Sequence, residues 1–274
     1  MHLTNPQFAG DLEAVLERAR AAGVRRFLCA GYDLESSRAA VELAARHPGV
    51  LAAVGVHPHD ASTYDAAVET ALEVLLRGTP RPVAVGETGL DYHYERSPRQ
   101  IQQEVLTRHL ALARRHSLPV ILHNRESDAD MARILAAAGE GLRGVLHAFT
   151  GTPLLLDLGR RLRLFFGIGG FLAFKNHPLS DVVRALPADL LLLETDAPYL
   201  APPPLRGRRN EPANVRLVAE RLAEILQTSL GEVAARTSAN FDRFLGPTAL
   251  RQSTGGPCVP PPGGREVDPP GGGC

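Results

Sequence analysis

Apolar residues alternate along the chain between two periods. Runs rich in Val, Leu and Phe read RRFLCAG (25–31), VLAAVGV (50–56), RPVAVGE (81–87), LPVILH (118–123), RGVLHAF (143–149), LRLFFGI (162–168) and LLLLETD (190–196). Between them stand segments of helical spacing, among them DLEAVLERARAAG (11–23), SSRAAVELAARH (36–47), RQIQQEVLTRHLALARRH (99–116), DADMARILAAAG (128–139) and ANVRLVAERLAEILQ (213–227). Strands apolar along their whole length are expected to be covered on both faces, as parallel strands are. The strand–helix alternation therefore predicts an α/β fold. Gly23, Gly49 and Gly139 follow helical runs, where C-caps are expected, and no internal repeat is evident.

A (β/α)8 barrel needs eight strands, and the pattern supplies seven. The first helical run starts near residue 11 with no strand before it. The expectation is a TIM barrel over residues 1–248 whose first strand, upstream of Met1, would end where MHL begins. Residues 249–274 are nearly all Pro, Gly and polar, and too poor in apolar surface to offset their ordering entropy. They are expected to form a disordered tail.

Composition narrows the partners. The 274 residues carry 30 basic and 30 acidic side chains, so no global field holds the chain on DNA or an anionic membrane. Any nucleic-acid contact must be local. No apolar run approaches the roughly 18–20 residues of a membrane span, and no signal peptide is evident. The three cysteines, Cys29, Cys258 and Cys274, have no metal-binding or disulfide spacing, which suits a reducing cytoplasm. A monomer is expected.

In a barrel, chemistry sits at the C-terminal ends of the strands. Glu87 closes RPVAVGE, His123 closes LPVILH, His147 ends RGVLH, Asp196 closes LLLLETD, and VLAAVGV runs into His57 and His59. Each alone has a structural explanation, as a hydrogen-bonded rim histidine or a helix-capping aspartate. Together, four separate strands deliver Glu, His, His and Asp to one ring, a convergence that points to a site. Imidazoles around a shared carboxylate suit a pair of divalent ions. Ligand type does not choose among Zn, Mn, Co, Fe and Mg. Two such ions about 3.5–4 Å apart lower the pKa of a bridging water and neutralise a phosphoryl oxygen, with Asp196 as ligand and general base. Glu194, two residues before Asp196, would share its face in a strand. It either ligates an additional metal, orients the water, or is simply a buried, paired carboxylate.

GVHPHD (55–60), GETGLDYH (86–93), LPVILHNRES (118–127), LHAFTG (146–151), ETDAPYLAP (194–202), RGRRNEP (206–212) and TSANFDRFLG (237–246) closely resemble the TatD family of metal-dependent deoxyribonucleases. The resemblance spans about residues 2–246. It implies a TIM barrel, divalent metals and hydrolysis of DNA phosphodiesters, often as a 3′–5′ exonuclease on single strands. The family's matching ligands fall on Glu87, His123, His147 and Asp196. Its first strand ends in an H-x-H pair, in a context like D-T-H-C-H-L, of which MHL matches only the last two residues. His2 therefore aligns with the second histidine as a metal ligand, and the first is absent.

Substrate-side candidates are His57 and His59, Arg125 two residues after His123, Lys175 (the only lysine), and Arg206, Arg208, Arg209 and Asn210 in RGRRNEP. An arginine cluster is commonly a solvated face; here its place after the Asp196 strand raises its interest. Tyr92, Tyr94, Phe149 and Tyr199 lie near strand ends, and the chain has no Trp. A short extended DNA strand in the barrel mouth fits better than a long groove. Two other classes compete. One is a Glu-bridged esterase or deacylase, acting for example on an aminoacyl ester of tRNA; the other is a binding barrel impaired in catalysis. Hydrolases bridged by a carboxylated lysine are disfavoured, because Glu87 occupies the central strand and Lys175 lies elsewhere.

Overall fold

The computed structural model describes residues 1–174 and 178–246. Lys175 and the expected tail, with Cys258 and Cys274, lie outside the described residues. One sheet of seven parallel strands runs in chain order β1 to β7: Phe27–Ala30, Val50–Val54, Ala84–Asp91, Val120–Arg125, Gly144–Leu146, Phe165–Ile168 and Leu191–Leu193. Nine α-helices are described. They include α1 (Leu12–Ala21), α2 (Leu34–Arg46), α4 (Arg99–His116), α5 (Asp128–Ala138), α8 (Val215–Leu226) and α9 (Leu230–Leu245). Five helices match the predicted segments to within two residues at each end. No helix among the described residues is long and apolar enough to cross a membrane.

Strand order equal to chain order, with a helix after each strand, is the repeated right-handed crossover of a β/α barrel. Every strand residue of β2, β3, β5 and β6 is buried, as expected for parallel strands covered on both faces. The helices start where the sequence allows. In α2, Asp33 and Ser36 form a reciprocal capping box, and in α9 Ser229 and Glu232 do the same.

The outer strands β1 and β7 do not pair with each other. Between them, at their C-terminal ends, lie the first two residues. The Met1 carbonyl accepts from Ala30 N at 2.9 Å, and His2 N donates to the Ala197 carbonyl at 2.8 Å. Two backbone bonds thus clamp His2 across the seam of the sheet. Arg209 reinforces this corner by gripping both Asp11 carboxylate oxygens at 2.7 Å and the Gln7 carbonyl at 2.6 Å.

The third strand departs from the predicted one, because Glu87 lies in its middle rather than at its end. Pairing with β4 shifts between Val85↔Val120 and Thr88↔Leu122, so three steps on β3 oppose two on β4. Such a bulge re-aims the side chain it carries. Beyond it, a Cβ on Gly89 (φ +150°) would lie 2.0 Å from the His123 carbonyl oxygen, so only glycine lets β3 stay on β4 here.

Helix α4 buries residues 102, 105, 106, 109, 110 and 113, the stripe of an amphipathic helix, yet two of them are polar. Gln102 accepts from Asp91 N at 2.7 Å and donates to the Asp91 and Ser97 carbonyls. His109 Nδ1–H donates to the Val105 carbonyl at 2.9 Å, which leaves Nε2 to accept from Val56 N at 3.0 Å. His109 therefore holds the start of the His57–His59 loop.

Burial pushes the His109 pKa down to about 4, partly offset by its bond to Val105. The folded protein keeps this ring neutral between pH 6.5 and 4, while the unfolded chain takes up a proton. That contribution to stability is full above pH 6.5 and is lost as pH falls to about 4. It amounts to about 3 kcal/mol. Urea unfolding of wild type and His109→Leu should show the variant less stable at pH 7.5, by about 1–3 kcal/mol for the orphaned Val56 N–H. The gap should close as pH drops to 4.5; a pH-independent gap would refute this account.

Candidate metal centre

The bulged strand points the Glu87 carboxylate, 3 % exposed, into the mouth of the barrel. Four imidazoles converge on it. His2 Nε2 lies 3.3 Å from Oε2, while His123 Nδ1, His57 Nε2 and His147 Nε2 lie 3.0, 3.5 and 3.8 Å from Oε1. Asp196 closes the ring: its Oδ1 is 3.4 Å from His2 Nε2 and 3.5 Å from His147 Nε2. The structure brings together all five residues expected to bind metal. β7 ends at Leu193, however, so Glu194 and Asp196 are not on one strand face as expected. The chain turns instead, with Asp196 at φ +55°. The two carboxylates take opposite nitrogens of one ring, Glu194 Oε2 lying 2.8 Å from His147 Nδ1.

Hydrogen bonds fix what each ring can offer. His2 Nδ1 faces the Ala30 carbonyl at 3.1 Å, an acceptor, so that nitrogen carries a hydrogen and Nε2 is the one turned to the carboxylates. His147 Nδ1–H is held by Glu194, whose other oxygen accepts from Ala148 N at 2.7 Å. His123 Nε2 faces Asp91 Oδ2 at 3.2 Å, which leaves Nδ1 toward Glu87. Three rings thus turn one nitrogen each to a single carboxylate, with the far nitrogen pinned by a carbonyl or carboxylate. Metal-binding histidines are commonly oriented in this way. His57 is different. Its atoms fall with those of Glu87 and His123 within 4.8 Å of one another, a spacing that suits an ion. Its Nδ1, though, accepts from His59 N–H at 3.1 Å, so Nε2 bears the hydrogen and points it at the site. On that ground His57 is a donor toward the site, not a ligand.

Charge follows geometry. Burial alone would push Glu87 up, but the charge of His147 and bonds from His123 and His2 hold it well below the usual carboxylate range. Burial lowers His2, and its bonds to Asp196 and Glu87 overcome that, raising it to about 9. His123 and His147 are raised against burial by their carboxylate neighbours. Burial drives His57 down to about 3, so it is neutral at neutral pH. Without cations, ring protons occupy the positions facing Glu87. The donor set of neutral imidazoles and ionised carboxylates fits divalent transition ions or magnesium.

The substrate-side candidates divide. His59 Nε2 is 2.9 Å from Asp91 Oδ2, and Arg125 is exposed at the end of β4. Arg208 is exposed with no ion pair among the described residues. Asn210 is corrected: it is fully buried, donating to the Thr195 and Tyr199 carbonyls and accepting from Glu211 N and Asn214 Nδ2, which leaves no polar atom for a substrate. Arg209 is likewise occupied, with Asp11 and Glu211. Asp91 was not among the candidates. It is buried and joins His59, His123 and the amides of His93 and Tyr94. Its signal was a second carboxylate four residues after Glu87, in a segment read as loop.

Comparison with known proteins gives a consistent kinship. A model of the TatD related DNase family matches residues 1–246. A metal-dependent hydrolase of Bacillus subtilis, YabD, is 39 % identical over 89 % of this chain and 96 % of its own. The 3′-5′ ssDNA/RNA exonuclease TatD of Klebsiella pneumoniae is 38 % identical over 90 % and 96 %. The crystal structure of YjjV, a TatD homolog from Escherichia coli, superposes with a TM-score of 0.82 at 31 % identity, covering 89 % of this chain and 95 % of that one.

Because ring protons stand where ions would bind, metal uptake should release protons. His2 remains protonated up to about pH 9, so apparent Mn²⁺ affinity should rise by at least about one log unit per pH unit from pH 6 to 8. Calorimetry in buffers of different ionisation enthalpy reads the released protons directly; none released would contradict the assignment. Asp91→Asn should weaken Mn²⁺ binding by about 10–100-fold through loss of His123 orientation. Unchanged affinity would mean that Asp91 serves only the β3–α4 loop.

Proposed function

The chain belongs to the TatD related DNase family of metal-dependent hydrolases, and from that premise we propose that it removes nucleotides from the 3′ end of single-stranded DNA. The observation that carries the reading is the convergence of Glu87, His2, His123, His147 and Asp196, with the far nitrogen of each of these histidines already pinned. These residues would hold two divalent ions. Bound there, such ions would lower the pKa of a coordinated water and neutralise charge on a phosphoryl oxygen.

The chain's own groups do the rest. Asp196 stays ionised: against burial, His147 and His2 hold its pKa below the usual range. Its Oδ1 faces those histidines, which leaves Oδ2 to take the proton of the attacking water. Glu194, bound to His147 Nδ1 and Ala148 N, keeps the His147 ring from turning. His57 directs its Nε2–H into the site, where it donates to a phosphoryl oxygen as negative charge grows there. His59, Arg125 and Arg208, on the same rim, position the flanking phosphates without reading sequence. With a formal charge of zero overall, these local cations are what recruit the strand. The buried, unpaired Cys29 accords with work in a reducing cytoplasm.

A 5′-labelled single strand incubated with Mn²⁺ or Mg²⁺ should shorten one nucleotide at a time, and EDTA should stop it. Glu87→Gln and Asp196→Asn should each lower kcat/KM by about a thousand-fold, the loss of several kcal/mol of charge stabilisation. Turnover that survives both substitutions, or that ignores EDTA, would overturn the proposal.

A further inference from the structure

Resting on that reading, we propose that Tyr94 is the stacking platform for the base of the terminal nucleotide, and that Arg125 and Arg96 cover it until a strand arrives. Tyr94 is one of few large apolar side chains at the surface, 52 % exposed, and it belongs to the loop after β3 at the chemical end of the sheet. Its backbone is fixed, because Tyr94 N donates to Asp91 Oδ1 at 2.9 Å. The same carboxylate, through Oδ2, holds His59 and His123. The ring stands edge-on to His59 with centroids 5.5 Å apart. Ring and reacting centre are thus located by one buried group, at the separation of neighbouring side chains.

Two guanidiniums lie over this ring, Arg125 at 4.7 Å and Arg96 at 5.7 Å from its centroid. Neither makes an ion pair with a carboxylate among the described residues, whereas Arg18, Arg108, Arg115, Arg133 and Arg209 do, although Arg96 feels the charge of Asp60. A cation over an exposed ring is weakly held, and a phosphate oxygen is a stronger partner for a guanidinium. A strand that enters the mouth supplies both components at once. Its phosphates draw the arginines off the ring, and its base takes the vacated face. Tyr199, the other exposed tyrosine near the site, has its hydroxyl engaged by Asn5 Nδ2 at 3.1 Å and carries no guanidinium. A base lying on Tyr94 must be unpaired and unstacked from its neighbour, so the platform selects single-stranded ends while tolerating any base.

The test is equilibrium binding of a fluorescein-labelled pentathymidylate and of the same strand lacking its 3′-terminal base. Both carry a phosphorothioate at the terminal linkage to slow cleavage, and both are titrated with the metal-loaded full chain. Wild type should bind the base-bearing strand about ten-fold more tightly. Tyr94→Ala should bring that ratio close to one by weakening the base-bearing strand, and Tyr94→Phe should retain it. Arg125→Ala should weaken both strands alike and flatten the salt dependence. A wild-type ratio of one, a ratio that survives Tyr94→Ala, or no binding of either strand overturns the platform. Turnover of the unmodified pentathymidylate is scored separately: its absence overturns the exonuclease reading while the binding ratio still decides the platform.

Discussion

A buried carboxylate is among the costliest features a fold can hold unless its charge is compensated, and Glu87 in the mouth of this barrel is a buried carboxylate. The surrounding structure is an answer to that one charge. Four segments reaching the mouth bring a positive or polarised group to it: His2 from the seam, His57 after β2, His123 on β4 and His147 after β5. In the free protein, protons on His2, His123 and His147 offset the carboxylate charge, and the same ring nitrogens would accept divalent ions once those protons leave. The centre is therefore not built for one charge state. Its compensation can be exchanged, as a site that must bind and activate ions requires.

The orientation of that ring of donors is set further out. The Ala30 carbonyl, Asp91 and Glu194 each hold the far nitrogen of one histidine, and His59 N–H holds that of His57 with the opposite polarity. One backbone donor in place of an acceptor turns a chemically identical ring from a lone-pair ligand into a hydrogen donor. Behind these groups stand the polar residues on the buried face of α4. Gln102 fixes Asp91 and His109 fixes the His57 loop, so a single helix keeps two parts of the rim in register.

This hierarchy explains what the sequence disclosed and what it hid. The strands were legible because parallel strands buried on both faces are continuously apolar, and the residues of the candidate site were legible because barrel chemistry collects where those runs end. Glu87 was found for partly the wrong reason: it lies inside a longer strand, and a bulge, invisible to hydrophobic periodicity, aims it inward. Asp91 was hidden by the same error, since its strand was taken to have ended. Asn210 and Arg209 were misjudged because proximity to the Asp196 strand says nothing about hydrogen bonds already made. Both are engaged by the protein's own carbonyls and carboxylates. Gln102 and His109 did leave a trace, as polar residues within an apolar helical stripe.

A net charge of zero sharpens the distinction among arginines. In a strongly basic protein any exposed guanidinium adds to a general field; here acidic and basic side chains balance, and several arginines, Arg18, Arg108, Arg115 and Arg209 among them, are held by carboxylates. Arg96, Arg125 and Arg208, without ion pairs among the described residues, all follow strands at the mouth of the barrel. With no net charge to attract an anion from afar, these guanidiniums are the ones that an anionic substrate in the mouth would meet.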